Sequence, residues 1–198
     1  MAYTMTWMRA GAAAIALGCG TAWAQQQATT DEAKKEERRQ AILKMRDRTL
    51  ADLYKHKPEV KDEIEKAVGY AVFDSTGVYV LLVLGIYGSG VLVDNAAKKT
   101  TYMTTERIGT GPGVGYRHYR SILVFKSKDL LDTFTTVGAD INAEGRFLLK
   151  TGGAGTDFGF SGSGNPWLST YEIQDSGIAA EINWGGSAYT PDASLNAK

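Results

Sequence analysis

The chain of 198 residues has the length of one domain, and 43% hydrophobic with 22% charged residues is an ordinary globular composition. Its 22 basic and 22 acidic residues give a formal net charge of zero, so no global positive field attracts nucleic acid. We therefore expect no nucleic-acid partner, and any binding site must be argued from local clusters.

The first 24 residues have the pattern of a secretory signal peptide. Arg9 is a short basic region, residues 10–20 form an apolar core of small residues, and Ala22-Trp23-Ala24 is an A-x-A cleavage site. The apolar run is shorter than the roughly 20 residues that a transmembrane helix needs. The pattern predicts a periplasmic or secreted protein after cleavage near Ala24.

The single cysteine, Cys19, lies inside this segment. It is either a small residue lost on cleavage or a lipid attachment site, because Leu17-Gly18-Cys19 loosely resembles a lipobox. The well-formed A-x-A site favours cleavage, and an outer-membrane lipoprotein anchored through Cys19 is the alternative. After cleavage no thiol remains, so we expect neither disulfides nor cysteine chemistry.

Residues 25–30 are polar and are predicted to form a disordered linker, and residues 31–68 are predicted to be helical. The first helix has apolar residues at helical spacing and a basic polar face with interleaved acids. This face permits membrane contact, although the acids favour a solvated surface with i,i+4 pairs. A second helix is predicted to begin at Pro58 and to end at Gly69.

Residues 69–189 are predicted to be mainly β-structure, and the tail 190–198 is expected to fray. Glycine recurs at alternate positions, at Gly88 and Gly90 and again from Gly109 to Gly115. Since strand side chains alternate between faces, this spacing leaves one face bare and indicates close approach by another element, a bend or a bulge. The strands predicted first are 70–73, 78–83, 86–93, 101–108 and 115–125, with turns at 74–77, 94–99 and 109–113.

Ser127 is predicted to cap a short helix that ends at Phe134. The strands predicted after it are 138–143, 146–150, 157–160, 167–173 and 178–184. The sequence therefore predicts one α+β domain over residues 31–189. Its N-terminal helices and one mid-chain helix pack on a mainly antiparallel, glycine-rich sheet that is barrel-like or strongly curved.

Five segments of this region occur in an order that suggests a known family. They are Gly69-Tyr70-Ala71-Val72-Phe73, Ile86-Tyr87-Gly88-Ser89-Gly90-Val91-Leu92, Gly113-Val114-Gly115, Ser121-Ile122-Leu123-Val124-Phe125 and Leu130-Leu131-Asp132-Thr133-Phe134. Their order and spacing resemble the SYLF domain family over roughly residues 50–184. The resemblance implies a lipid-binding module, with phosphoinositide binding in eukaryotic members and actin association in fungal ones. For a periplasmic chain it implies affinity for a membrane surface or anionic lipid.

The most suggestive local cluster is Tyr116-Arg117-His118-Tyr119-Arg120. On a strand, Tyr116, His118 and Arg120 share one face, while Arg117 and Tyr119 share the other. A face with cations and an aromatic ring suits a phosphate headgroup. The alternative is an exposed strand whose charges serve solubility and discourage edge pairing.

Lys98 and Lys99 stand at a predicted hairpin end, where a basic tip would touch anionic lipid. A solvated turn is the simpler interpretation of this pair.

Catalytic and metal-binding patterns are weak. The Gly109–Gly115 segment lacks the lysine and helix start of a phosphate-binding loop, and only His56 and His118 are available as histidine ligands. There is no G-x-S-x-G nucleophile elbow. We expect no cofactor, no metal and no enzymatic activity. The sequence favours a lipid- or membrane-surface-binding protein of the bacterial cell envelope. The alternative is an envelope structural or protein-interaction module without lipid affinity.

Overall fold

The computed structural model describes residues 14–137, 157–160, 166–181 and 187–197. The helices are α1 (Ala14–His56), α2 (Glu59–Lys66), α3 (Lys128–Val137) and α4 (Ala193–Asn196). The strands are β1 (Gly69–Asp94), β2 (Lys99–Phe125), β3 (Asp157–Phe160), β4 (Leu168–Glu181) and β5 (Ala188–Pro191). Within these ranges, no helix combines the length and apolarity required to cross a membrane.

The chain divides into two compact units, residues 1–38 and residues 39–198. The first unit contains the beginning of α1, where Lys35 forms a 2.7 Å ion pair with Glu32 one turn earlier. Residues 25–30 are helical within α1, so the predicted disordered linker is not observed. Glutamine and alanine fill most of this stretch, and both are good helix formers. All elements from α2 onward belong to the second unit.

The sheet is antiparallel, in the order β1-β2-β4-β3, and β5 also pairs with β2. β1 and β2 form one long hairpin whose register runs from Gly69 opposite Phe125 to Asp94 opposite Lys99. Of the three predicted turns, only 94–99 is a turn, because the glycine-rich and polar residues at 74–77 and 109–113 continue the strands. β4 is likewise one strand where two were predicted. The predicted strands 138–143 and 146–150 lie outside the described residues.

β1 folds back on itself, and two glycines make this possible. A Cβ atom at Gly90 would lie 2.3 Å from the carbonyl oxygen of Val72, and one at Gly88 would lie 2.5 Å from that of Asp74. No side chain fits at such distances, so bare backbone is required at both positions. The close approach predicted from the alternating glycines is confirmed here, and the strand must bend between residues 74 and 88.

Helices cover both faces of the sheet. On one face, Phe73 packs with Phe134 of α3, their ring centroids 6.4 Å apart. On the other, Val72 packs with Leu53 of α1 and Ile64 of α2. Neighbouring strand residues therefore serve opposite cores, as the alternation of side chains requires. The predicted α+β class, with helices on a strongly curved antiparallel sheet, is confirmed.

The tail does not fray as predicted: β5 and α4 occupy it. The Asp192 side chain caps α4 by accepting a hydrogen bond from the Leu195 amide at 3.2 Å, and Leu195 is buried. Arg39 donates to the Leu195 carbonyl at 2.8 Å, and Asn196 bonds to the Tyr102 backbone in both directions. These polar contacts hold a segment whose composition alone suggests disorder.

Candidate functional site

The bend of the β1–β2 hairpin carries exposed apolar side chains within a segment that we call the apex, residues 78–87 of β1 and 108–116 of β2. Neither stretch contains an Asp, Glu, Lys, Arg or His residue. Within the apex, Tyr79, Leu84 and Ile86 are buried against one another. At the bend, four consecutive side chains, those of Val80, Leu81, Leu82 and Val83, are 60–72% exposed. Large exposed apolar patches on folded proteins mark interaction sites.

The patch continues onto β2 through the strand register. Val114, which is exposed, stands directly opposite Val80, and the exposed Ile108 stands opposite Gly85. Facing side chains on adjacent antiparallel strands lie within contact range. Exposed apolar side chains of the two strands therefore lie side by side at the apex.

The bend itself is strained. Leu81 has a φ of 57°, in the left-handed region. The pairing with β2 passes from Leu81 opposite Gly113 to Val83 opposite Thr110, so that Leu82 faces two residues of β2, which carries the extra residue of the bulge. A bulge of this kind bends the strand, and the left-handed conformation costs a leucine about 1–2 kcal/mol. Glycine would adopt it without this cost. Strain of this kind is typical of functional positions.

Tyrosines and charged residues border the aliphatic tip together. Tyr87 and Tyr116 are both exposed, and Tyr116 faces Val78 across the hairpin. Charged residues stand at the same level: Arg107 faces Ile86, Glu106 faces Tyr87, and Arg117 follows Tyr116.

Arg117, predicted to bind a headgroup, is buried in the structure with 6% exposure. Its Nη1 donates to the Glu172 carboxylate at 3.2 Å, and its guanidinium stands 3.9 Å from the ring centroid of Tyr119. Burial raises the pKa of the Tyr119 phenol, so this ring stays neutral and polarisable beneath the cation. The Arg117 charge is engaged inside the protein.

Arg120 is also buried, and it joins three elements. It donates two hydrogen bonds of 2.6 Å to Asp175 of β4 and others to Asp52 at 2.8 Å and Thr49 at 3.2 Å, both on α1. Burial lowers the pKa of Arg120, but the hydrogen bonds to Asp175 and Asp52 outweigh it and raise that pKa. The side chain is a fixed cation that ties α1 to the sheet.

His118 is partly exposed and extends the same network. Its Nε2 lies 2.6 Å from Asp74, and its Nδ1 lies 3.7 Å from Asp175, which also binds Arg120. The prediction that His118 and Arg120 share a face is confirmed by this common partner. A phosphate at this position would have to displace carboxylates from both side chains, so headgroup binding by these residues stays a prediction.

Lys98 and Lys99 are exposed in the β1–β2 turn, as predicted. The neighbouring Asn95 amide donates to the Val68 carbonyl at 2.9 Å, which places this turn at the base of the sheet, the end where Gly69 faces Phe125. The apex begins nine residues along β2, about 30 Å at roughly 3.3 Å per residue. The two lysines are thus not brought together with Arg117, His118 and Arg120. The side chain of Cys19 lies outside the described residues.

A second polar cluster fixes α2 on the sheet. Glu63 accepts hydrogen bonds from Ser169 at 2.6 Å and Tyr171 at 2.5 Å, and Lys126 stands 3.0 Å away. Burial raises the pKa of Glu63, but these three partners lower it by more, so it is depressed overall. Burial and the Glu63 carboxylate raise the pKa of Tyr171. Among the described residues, no cluster of three His, Cys, Asp or Glu side chains is arranged to hold a metal.

Sequence reasoning did not identify the apex. The run Val80-Leu81-Leu82-Val83-Leu84 is continuous rather than alternating, which is typical of a strand buried on both faces. The signal that was available is charge: residues 78–87 and 108–116 both lack charged side chains, and residues 78–85 pair with 108–116. Each stretch ends at a tyrosine, Tyr87 and Tyr116.

Comparison with known proteins gives one informative relative. No protein-family model matches the chain. The chain is similar to Beta cell expansion factor A of Aeromonas veronii, with 31% identity over 159 residues. The similarity covers 80% of this chain. It covers 59% of the relative, so the chain spans less than two thirds of that protein's length.

Proposed function

We propose that the protein binds membrane surfaces through the apex, as a non-enzymatic, SYLF-type lipid-binding module of the bacterial cell envelope. The observation that carries this proposal is the exposed, charge-free apolar tip at the bend of β1, where Val80, Leu81, Leu82 and Val83 are all exposed and Tyr87 and Tyr116 stand at its border. A soluble protein gains nothing in stability from leaving such a surface in water, since burial of apolar area is favourable.

Two further observations support the proposal. The bend keeps a leucine in a conformation that glycine would adopt at lower cost, so the apolar side chain at Leu81 is retained against the stability of the fold. The motif order that resembles the SYLF family implies lipid affinity independently of the apex. The N-terminal segment further implies a periplasmic or secreted protein after cleavage near Ala24, with a lipoprotein anchored at Cys19 as the alternative.

The test is flotation of the purified protein with lipid vesicles, compared with its Leu81→Asp/Leu82→Asp variant. Trp167→Asp is the matched control, because Trp167 is an exposed apolar residue at the base, beside the first residue of β4. We expect the native protein and the control to float with vesicles and the apex variant to remain behind. Equal flotation of all three proteins would exclude the apex as the membrane contact.

The second candidate is an envelope protein-interaction module, in which a partner protein covers the apex. β1 stands at one end of the strand order among the described residues, a position from which strands pair with other chains. This function predicts a co-purifying partner or a stable homo-oligomer, disrupted by the apex variant, and no flotation with vesicles.

A further inference from the structure

We infer that the apex binds lipid by shallow apolar insertion that does not depend on headgroup charge, with Leu81 and Leu82 as its anchors. The ligand class is therefore the hydrocarbon boundary of any fluid bilayer, zwitterionic as well as anionic. This inference rests on the proposed function and specifies its ligand.

The charge distribution around the apex supplies no attraction to anionic lipid. Leaving the apex in both directions, the first charged residues are Asp74 and Asp94 on β1 and Arg107 and Arg117 on β2, two acids and two bases that cancel formally. Arg117 is in addition buried against Glu172. The exposed Lys98 and Lys99 lie at the base, about 30 Å along the sheet. Since a Debye length is about 10 Å at 0.1 M salt, they do not reach a membrane at the apex.

The side chains at the bend suit shallow insertion. Val80, Leu81, Leu82 and Val83 are exposed, and apolar faces that bind at a membrane interface enter it by about 5–10 Å. Tyr116, opposite Val78, then lies at headgroup level, where tyrosine is favoured. Leu82 stands outside the β1–β2 pairing, and unpaired backbone is costly in hydrocarbon, so side chains rather than whole strands enter.

The pattern of exposure favours lipid over a second copy of the chain. Val80, Leu81, Leu82 and Val83 are consecutive in the chain, yet all four are exposed, so the described residues leave every side of the bend uncovered. A second copy laid on the hairpin would cover one side and leave the other in water. A lipid surface surrounds an inserted tip on both sides.

The test compares flotation on vesicles of phosphatidylcholine alone with flotation on vesicles that also contain phosphatidylglycerol, each at low and high salt. We expect equal partition of the native protein under all four conditions. The Leu81→Asp/Leu82→Asp variant should lose at least about tenfold in partition on both vesicle types, and Trp167→Asp should lose none. Lys98→Glu/Lys99→Glu should bind both vesicle types as the native protein does.

Each contrary outcome has a separate meaning. Binding that requires phosphatidylglycerol, falls with salt and weakens in the Lys98→Glu/Lys99→Glu variant would overturn the inference and leave membrane binding intact. A dimer that the apex variant converts to monomer, without flotation on any vesicle, would overturn both the inference and the proposed function. If the aspartate variant melts at a lower temperature than the native protein, Leu81→Ser/Leu82→Ser replaces it in the same comparison.

Discussion

Gly90 and Val72 lie so close that a Cβ atom on the glycine would stand 2.3 Å from the valine carbonyl oxygen. They belong to the same strand, eighteen residues apart in sequence, which the fold brings into contact by doubling β1 back on itself. This contact obliges the strand to bend, and the bend is where the aliphatic side chains of the apex leave the core. The folding back of β1 therefore explains two features: glycine is required at Gly90, and Leu81 and Leu82 are exposed at the bend.

Gly90→Ala should lower the free energy of unfolding by about 3 kcal/mol, the upper part of the range for overpacking, because rigid backbone surrounds the position. Gly85→Ala is the matched control: its Cβ would meet only the Tyr87 ring, at 3.4 Å, and should cost less than about 1 kcal/mol. Urea unfolding of both variants makes the comparison. Equal losses would mean that β1 does not fold back at Gly90.

Leu81→Gly should raise the free energy of unfolding by up to about 1 kcal/mol, because it relieves the left-handed backbone, and should weaken membrane binding at the same time. Leu82→Gly is the control, since positive φ is recorded at Leu81 and not at Leu82. It should weaken binding without any gain in stability. Thermal melting and vesicle flotation measure the two quantities. A Leu81→Gly variant that is less stable than the native protein would contradict the strain at this bend.

Arg120→Ala should destabilise the protein by about 3 kcal/mol, because it leaves Asp175 and Asp52 as carboxylates without their shared cation and removes the tie between α1 and the sheet. The estimate is at the low end for broken buried pairs because both carboxylates keep some contact with water. Lys98→Ala, at an exposed turn, should change stability by less than about 0.5 kcal/mol. Similar effects of the two substitutions in urea unfolding would show that the Arg120 network carries no stability.

Stability should fall at acid pH partly through Glu63. Its pKa in the folded protein is depressed, so its contribution is fully present above the ordinary value of 4.5 and is lost as the pH falls through the lower folded value. Glu63→Gln should therefore reduce stability at neutral pH and flatten the dependence below about pH 4.5. Unfolding of native and variant protein across this range provides the test. Parallel pH curves for the two proteins would rule out this role.

Much of the fold could be predicted from local patterns, whereas the site could not. The alternation of Gly88 and Gly90 predicted a close approach of backbone, because two glycines on one face of a strand leave that face without side chains. The sequence predicted a strand over 78–83, but the hydrophobicity of this segment does not tell whether the rest of the chain covers it. Only the structure shows that Val80, Leu81, Leu82 and Val83 are exposed whereas Leu84 is buried.

For Arg117, His118 and Arg120, the sequence predicted the face of the strand but not the partners that bind the two arginines. Period-two alternation placed His118 and Arg120 on one face, which the structure confirms. It did not predict that Glu172 and Asp175, each 55 residues from its arginine, would engage Arg117 and Arg120. A carboxylate that distant is placed by the strand register of β2 with β4, which the sequence of one strand does not contain.

The most direct test of the account is the depth of Leu82 in a bilayer. We would attach an environment-sensitive fluorophore to Leu82→Cys and, in a separate protein, to Lys98→Cys, both in a Cys19→Ala background, and add phosphatidylcholine vesicles. Insertion of the apex predicts a blue-shifted emission and quenching by bilayer-buried quenchers at position 82, with neither effect at position 98. A shift at position 98 and none at position 82 would contradict the account and place the membrane contact at the basic turn.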